Sequence, residues 1–213
     1  MKKKNKRNNF SNIIKTHIYK NFKEYLSVSL IFIIGIAIGV ITINNSNEEQ
    51  INQITTYINN FLGDLKEVSN IDTRALLLDT FFNNLYLILI MWFVGSTIIG
   101  LPIVYGIVGY KGFCLGYTIS SSIITLGTVK GTCFSLASML LQNIIYIPCI
   151  LALAVSGIRL YKSIVKDRRR ENIKLEVIKH TIFSIFIGIF ILIGGLLETY
   201  ASTNLIMFFI NTI

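Results

Sequence analysis

The stretch Leu85–Ser122 reads LYLILIMWFVGSTIIGLPIVYGIVGYKGFCLGYTISSS and predicts a membrane hairpin. Its first 26 residues carry no charge, so they are long enough to cross a bilayer core of about 30 Å as a helix. Gly109 and Gly112 flank Lys111; glycine suits a tight turn, and lysine marks the cytoplasmic side of a membrane. The turn is therefore predicted at Lys111. Pro102 lies inside the first arm, where it removes an amide donor and predicts a kink.

The composition places the whole chain in a membrane. Of its 213 residues, 53% are hydrophobic and only 15% are charged, which leaves too few polar groups to cover a soluble globule. The net charge of +9 would suggest a nucleic-acid-binding protein in a soluble chain. Here the basic residues lie in two blocks beside apolar segments, which is typical of the positive-inside pattern. The sequence predicts an all-α, polytopic membrane protein in contact with lipid and without a nucleic-acid partner.

The charges of three polar segments predict the topology. Residues 1–24 carry eight basic residues and one acid, a net charge of +7, and residues 157–180 carry eight against three, a net charge of +5. Residues 44–80 carry two against six, a net charge of −4. Basic segments stay in the cytoplasm, so the N-terminus is predicted inside and the acidic loop outside. About five spans, with an extracytoplasmic C-terminus, are predicted at 25–43, 81–110, 112–128, 132–156 and 181–210.

Two of these spans have alternatives. Residues 112–128 are short and rich in Ser and Thr, so a re-entrant loop competes with a crossing. Without a crossing, however, the basic segment 157–180 would lie outside, which contradicts the charge rule. Residues 181–210 form either one long tilted span or a helix that ends near Leu197 and is followed by a membrane-lying tail. Both alternatives for the last span stay open.

The segments around the first span carry three local patterns. The second half of residues 1–24 has apolar residues at helical spacing, so it is either a basic amphipathic helix on the inner leaflet or a solvated tail. Gly35 and Gly39 form a GxxxG pair that lets another helix approach closely and leaves self-association open. In the loop, Ser46 and Glu49 have capping-box spacing and predict a short amphipathic helix for packing or docking.

Chemical motifs are absent from this sequence. The histidines His17 and His180 are predicted beside the cytoplasmic surface, and Cys114, Cys133 and Cys149 have no CxxC spacing and are interpreted as small core residues. Metal, nucleotide and hydrolase motifs do not occur. No enzyme activity, catalytic residue, metal or cofactor is predicted.

One acid lies inside a predicted span. Glu198 falls near the edge of a stripe of small residues at helical spacing, Ser184, Gly188, Gly195 and Ser202, so it is expected to face protein. An intramembrane carboxylate is by default a functional candidate. Because the predicted spans contain no other acidic or basic residue, a hydrogen-bonded helix lock is the competing interpretation.

An ordered set of residues resembles a known family. The set consists of Met91-Trp92, Gly95, Gly100-Leu101-Pro102, Lys111-Gly112, Gly116, Leu141-Gln142-Asn143, Ile147-Pro148 and Leu197-Glu198-Thr199-Tyr200. Together with the basic N-terminus and the acidic first loop, it is similar to the stage II sporulation protein M family. The helix-packing or partner-contact candidates are Gly95, Gly100, Pro102, Lys111, Gly112, Gly116, Gln142, Asn143, Pro148 and Glu198.

The resemblance implies a membrane scaffold of endospore-forming bacteria. It implies recruitment of two peptidoglycan hydrolases, stage II sporulation proteins D and P, for engulfment at the sporulation septum, in the mother-cell membrane. The physical chemistry agrees, because a multi-span body can recruit single-span partners through Gly-lined grooves. The alternative is a transporter or channel subunit with Glu198 in its pathway.

Overall fold

The computed structural model describes residues 10–67, 73–97, 99–166, 173–197 and 199. All regular secondary structure in this part of the chain is helical, which confirms the predicted all-α class. The helices are α1 (Phe10–Lys20), α2 (Phe22–Asn44), α3 (Glu48–Glu67), α4 (Thr73–Gly95), α5 (Gly100–Leu126), α6 (Thr128–Lys166) and α7 (Ile173–Leu197).

The described residues contain four helical segments that are long and apolar enough to cross a membrane: Phe22–Asn44, Leu77–Gly95, Asn143–Val165 and Ile173–Leu196. These segments identify a multi-pass membrane protein. Helix α5 has 27 residues but is not one of the four, because glycine, serine and Lys111 dilute its apolar side chains. The number of five spans and their orientation stay predictions.

The hairpin turn lies between Gly95 and Gly100 rather than at Lys111. The Thr97 amide donates to the carbonyl oxygen of Val94 at 3.0 Å, and the Thr97 hydroxyl donates to the same oxygen at 2.8 Å. Helix α5 runs unbroken through Lys111, so the predicted turn there is wrong. The helices on both sides accordingly differ from the predicted ranges 81–110 and 112–128.

Pro102 marks the start of a helix. It lies in the first turn of α5, where backbone amides have no partner within the helix and a missing donor costs nothing. The predicted kink at Pro102 is therefore wrong. Gly100 fits the turn for a steric reason, because a Cβ atom placed on it would lie 2.6 Å from the carbonyl carbon of Val94.

Helices α2 and α5 are in backbone contact through glycine. A Cβ atom on Gly35 would lie 3.0 Å from the Phe113 nitrogen, and one on Gly116 would lie 2.9 Å from the Ile36 Cα. Glycine permits close approach of two helices as well as a tight turn. The glycines that predicted a turn at Lys111 instead let α2 approach α5. The GxxxG pair that begins at Gly35 therefore meets α5 of the same chain.

These two helices run parallel. Ser27 and Tyr105, near their starts, share a hydroxyl–hydroxyl hydrogen bond of 3.0 Å, and Gly39 meets Tyr117 further along both helices. Helix α4, which lies between α2 and α5 in the sequence, runs back toward the start of α2. Helices α2 and α5 therefore begin at the same end of the bundle. We call this the turn end, since the turn between Gly95 and Gly100 lies there, and we call the opposite end the α3 end.

Helix α3 confirms the amphipathic helix predicted in the first loop, but its start is formed differently. The backbone amide of Asn47 donates to Oε1 of Gln50 at 3.2 Å, and the Ser46 hydroxyl donates to the carbonyl oxygen of Thr42. The capping contact is therefore between Asn47 and Gln50, one residue later than the predicted pair of Ser46 and Glu49. The amide of Gln50, rather than a carboxylate, fills the N3 position of the capping box.

Helices α6 and α7 complete the bundle. Gly127, with φ +81°, joins α5 to α6. Residues 128–131 (TVKG), which join the predicted spans 112–128 and 132–156, lie in the first turn of α6, so a turn at these residues is wrong. The bundle core contains Met91, Val108, Leu153, Ala154 and Ile191, all nearly inaccessible to solvent.

The small-residue face of α7 packs against α4. Gly188 lies against Ile88, Gly195 lies against Thr80 and Asn84, and Ser184 is buried. This confirms the predicted packing of the stripe for these residues. Ser202 and Glu198 lie outside the described residues. One long last span and a helix that ends near Leu197 both stay predictions.

Candidate functional site

A cavity of about 370 Å³, open on one side and lined by polar and apolar residues, lies between the helices, and we call it the Lys111 cavity. Helices α4, α5 and α6 form most of its wall, with one residue from α2. The described lining is Phe32, Asp79, Thr80, Asn83, Asn84, Lys111, Cys114, Leu115, Thr118, Asn143, Tyr146, Ile147, Ile150 and Leu151. The residues beside the hairpin turn do not line it. The two arms of the hairpin thus separate toward the α3 end and leave a polar space between them.

Helical spacing brings the polar side chains of α4 to this wall. Asp79 and Asn83 are four residues apart, and the Asn83 amide donates to the Asp79 carboxylate at 3.1 Å. Thr80 and Asn84 repeat the same spacing on the neighbouring face. Asp79 and Asn83 are exposed, whereas Asn84 is only 4% exposed. The cavity therefore leads from an accessible carboxylate to a buried amide.

Lys111 is the cation of the cavity. At a rise of 1.5 Å per residue, it lies about 17 Å along a helix about 40 Å long that starts at Gly100, which places it in the middle of the bundle. Its Nζ atom is 5.7 Å from the centre of the Tyr146 ring, a cation–π contact. The ion pairs of the described residues, Glu24 with Lys162 and Glu176 with Lys179, do not include it.

Asn84 has an unpaired donor on the side that faces α7. Within the described part of the chain, its Nδ2 atom is buried and makes no hydrogen bond. The atom faces the last turns of α7, because a Cβ atom on Gly195 would lie 2.8 Å from it. A buried amide donor without a partner is destabilising. Helix α7 does not belong to the described lining of the cavity, so this donor packs against α7 instead of facing the cavity.

A second polar cluster lies at the turn end. The Ser156 hydroxyl and Nδ1 of His180 are 2.8 Å apart, and the Trp92 indole donates to the Thr181 hydroxyl at 3.0 Å. His180 is 3% exposed, so it is packed inside the bundle, and its predicted position beside the cytoplasmic surface stays a prediction. Helix α7 starts earlier than predicted, at Ile173, which brings residue 180 into the bundle.

The N-terminal helix contacts this cluster. The ring of His17 stacks on Phe183 with centroids 5.1 Å apart and an interplanar angle of 18°. Burial, and secondarily the charge of Arg159, lowers the pKa of His17 below its ordinary value. Of the two alternatives for this segment, the structure agrees with the helix, and it adds a docking contact on α7.

The residues predicted as one set of packing candidates have several roles. Lys111 and Asn143 line the cavity, and Gly112 and Gly116 contact α2. Gly95 meets Gly157 where α4 crosses α6, while Pro148 lies in α6 with its ring exposed. Gly100 belongs to the hairpin turn and Pro102 to the first turn of α5. The side chain of Gln142 and all of Glu198 lie outside the described residues.

Sequence reasoning missed the α4 wall of the cavity. The available signal was the spacing of Asp79, Asn83 and Asn84 at the start of an apolar helix, where amide side chains need partners. Among the described residues, no group of three or more His, Cys, Asp or Glu side chains is suited to a metal. Cys114 lines the cavity, Cys133 is exposed and Cys149 is buried.

A known protein family matches most of this chain. The family described as "Stage II sporulation protein M" matches residues 28–203, which is most of the chain. The chain belongs to this family. This family consists of sporulation-related membrane proteins and is not a known enzyme family. No curated protein and no solved structure matches the chain.

Proposed function

We propose that the protein is a non-enzymatic membrane scaffold that recruits and localises peptidoglycan hydrolases for engulfment of the forespore. Membership of the stage II sporulation protein M family supports the sporulation context. The proposed partners are stage II sporulation proteins D and P, and the proposed location is the mother-cell membrane at the sporulation septum. Recruitment by a scaffold raises the local concentration of enzymes without taking part in their chemistry.

The observation that carries this proposal is the surface of α3. The hydroxyl groups of Thr55 and Thr125 lie 3.5 Å apart and tie α3 to α5. Tyr57 and Phe61, four residues apart on one face, are 76% and 43% exposed. Exposed aromatic side chains on a fixed helix are typical of protein contacts, and the loop charges predict this helix outside, where wall hydrolases act.

The test replaces both aromatic residues of α3. Truncation of a central interface aromatic costs about 2 kcal/mol or more, a weakening of roughly thirtyfold. Tyr57→Ser with Phe61→Ser should therefore sharply reduce co-purification of proteins D and P from sporulating cells in mild detergent, while the scaffold accumulates normally. Tyr19→Ser, an 86% exposed tyrosine at the turn end, is the matched control. Undiminished recovery of both hydrolases would remove α3 as the docking surface.

One observation favours the transporter or channel alternative. A lysine in a polar cavity halfway through a membrane bundle is typical of a solute or ion pathway. If this alternative holds, protein reconstituted in liposomes should conduct a solute or ion, and Lys111→Met should abolish the flux. Recovery of a membrane ATPase in place of the hydrolases would support the same alternative.

A further inference from the structure

The turn end of the bundle carries a cation that its acids do not compensate. Glu24 pairs with Lys162, with 2.6 Å between Oε1 and Nζ, and Glu176 pairs with Lys179. Arg159 is exposed and takes part in no ion pair or hydrogen bond within the described part of the chain. Both described acids of this end are therefore occupied, and the N–H groups of the guanidinium are free to donate to an anion.

A cavity of about 130 Å³ lies beside this guanidinium, and we call it the Arg159 cavity. Helices α1, α6 and α7 form its wall. The Ser156 hydroxyl already shares a hydrogen bond with His180, and Glu176 and Lys179 of the wall neutralise each other. With neutral histidines, the described wall holds two cations against one acid. Its surplus positive charge is that of Arg159.

The position of Arg159 along α6 places the cavity at the level of the lipid headgroups. Gly95, the last residue of α4, meets Gly157 of α6, because a Cβ atom on Gly95 would lie 3.1 Å from the Gly157 Cα. Helix α6 runs from the α3 end to the turn end, so Arg159 lies about 3 Å beyond this contact. A turn between two membrane helices lies outside the hydrocarbon core, where its backbone is not in contact with acyl chains. Arg159, level with the hairpin turn, is therefore among headgroup phosphates.

An apolar surface continues from the cavity toward the middle of the bundle. Phe183 lines the cavity, and Phe190 lies seven residues later on the same face of α7, about 10 Å deeper. Between them lies Phe186, whose ring is in edge contact with that of Phe190, with centroids 5.1 Å apart. Phe186 and Phe190 are 42% and 37% exposed, so an acyl chain can contact both. A charged cavity above an exposed apolar face matches the two parts of a phospholipid.

We infer that the Arg159 cavity binds the phosphate group of one anionic phospholipid, whose acyl chains lie against Phe186 and Phe190. The planar guanidinium group fits two phosphate oxygens at once. A zwitterionic headgroup brings its own ammonium group, which Arg159 and Lys179 repel, so a headgroup with a net negative charge is favoured. The inference does not depend on the proposed scaffold role.

The experiment titrates the purified full-length chain in mild detergent with dioleoyl phosphatidylglycerol or with dioleoyl phosphatidylcholine. Native mass spectrometry counts the lipids that stay bound. Arg159→Gln removes the charge at the cavity, and Lys174→Gln, an exposed lysine of α7 outside the described wall, is the matched control. The fluorescence of the single tryptophan, Trp92, during heating without lipid checks that each variant is folded.

The wild type should bind one phosphatidylglycerol at least about tenfold more tightly than phosphatidylcholine, because hydrogen bonds to a charged group contribute that much or more. Arg159→Gln should abolish this preference, and Lys174→Gln should leave it within about twofold. The inference is overturned if the wild type does not distinguish the two lipids or if the preference persists without Arg159. An equal loss in Lys174→Gln would also overturn it, because the attraction would then belong to the whole basic surface.

A second titration distinguishes lipid from free phosphate, which offers the same oxygen atoms. Sodium phosphate is added to the complex with phosphatidylglycerol, with sodium chloride at equal ionic strength as the reference. The lipid should stay bound equally in both salts, because inorganic phosphate has no acyl chains to contact Phe186 and Phe190. Displacement by phosphate alone would assign the cavity to a free phosphate and overturn the lipid site.

Discussion

Gly39 of α2 lies so close to Tyr117 of α5 that a Cβ atom on the glycine would be 2.7 Å from the tyrosine backbone nitrogen. A pair of glycines four residues apart is usually discussed as a surface for joining two copies of a helix. Here the partner is a parallel helix of the same chain. The close contact makes α2 part of the bundle. Because Thr55 of α3 contacts Thr125 of α5, α3 lies at the opposite end from the hairpin turn.

Replacing a glycine of α5 by a larger residue should destabilise the protein only where that glycine contacts another helix. Gly112→Leu should destabilise the protein, because its Cβ would lie 3.2 Å from the Ile36 nitrogen and the larger side chain would separate α2 from α5. Overpacking of this kind costs about 1–3 kcal/mol. Gly106→Leu on the same helix is the control, since nothing lies within 4 Å of its Cβ position. Cellular accumulation and unfolding midpoints should fall for Gly112→Leu alone; equal behaviour of the two variants would contradict the packing.

Cysteine labelling separates the observed hairpin from the one predicted at Lys111. In a variant without native cysteines, Ile99→Cys at the turn should react with a membrane-impermeant reagent only after permeabilisation. Tyr110→Cys, within α5, should not react from either side because lipid surrounds it. Labelling at position 110 after permeabilisation would restore the turn at Lys111 and contradict the continuous α5.

Cysteine labelling also tests the orientation of the protein in the membrane, which the charges of +7, −4 and +5 on its three polar segments predict. Asn59→Cys, on the exposed side of α3, should react in intact cells. Lys166→Cys, at the end of α6, should react only after the membrane is permeabilised. Reaction at position 166 in intact cells would contradict a topology with α3 outside and the end of α6 inside.

The turn between α5 and α6 depends on backbone conformation alone. Gly127 has φ +81° and ψ 165°, a region that is essentially restricted to glycine, and nothing lies within 4 Å of its Cβ position. Gly127→Ala should therefore lower the free energy of unfolding by about 1–3 kcal/mol through backbone strain. Gly63→Ala, a helical glycine with equal space around it, should be neutral or slightly stabilising. Thermal unfolding in detergent measures both, and an unchanged midpoint for Gly127→Ala would exclude this conformation.

Docking of α1 should depend on pH through His17. Burial lowers the pKa of His17 below its ordinary value of 6.5, so the docked helix disfavours the protonated ring. Docking is therefore complete above about pH 6.5 and weakens as the pH falls below that value, because the undocked ring binds a proton more readily. Hydrogen exchange of α1 should be faster at pH 5.5 than at pH 7.5. In His17→Phe, which keeps the stacking on Phe183, this pH difference should disappear; its persistence would assign the effect to another group.

The sequence by itself determined the features that depend on local composition. Apolar length predicts helices that suit a bilayer, and the positions of acids and bases predict the loops. The periodicity of residues 48–67 predicts α3. The small residues at 184, 188 and 195 predict the packed face of α7, because helical spacing alone brings them together.

Only the tertiary structure decided what each glycine and each buried polar side chain does. Gly109 and Gly112 could serve equally well in a turn or in a close helix contact, and the position of α2 selects the contact. That choice moves Lys111 from a cytoplasmic turn to the middle of the bundle and places it in one cavity with Asn84, from another helix. Spacing along a helix does not specify which face of a distant helix will be its neighbour. For this reason the sequence predicts a lysine at the membrane surface, whereas packing places the cation inside the bundle.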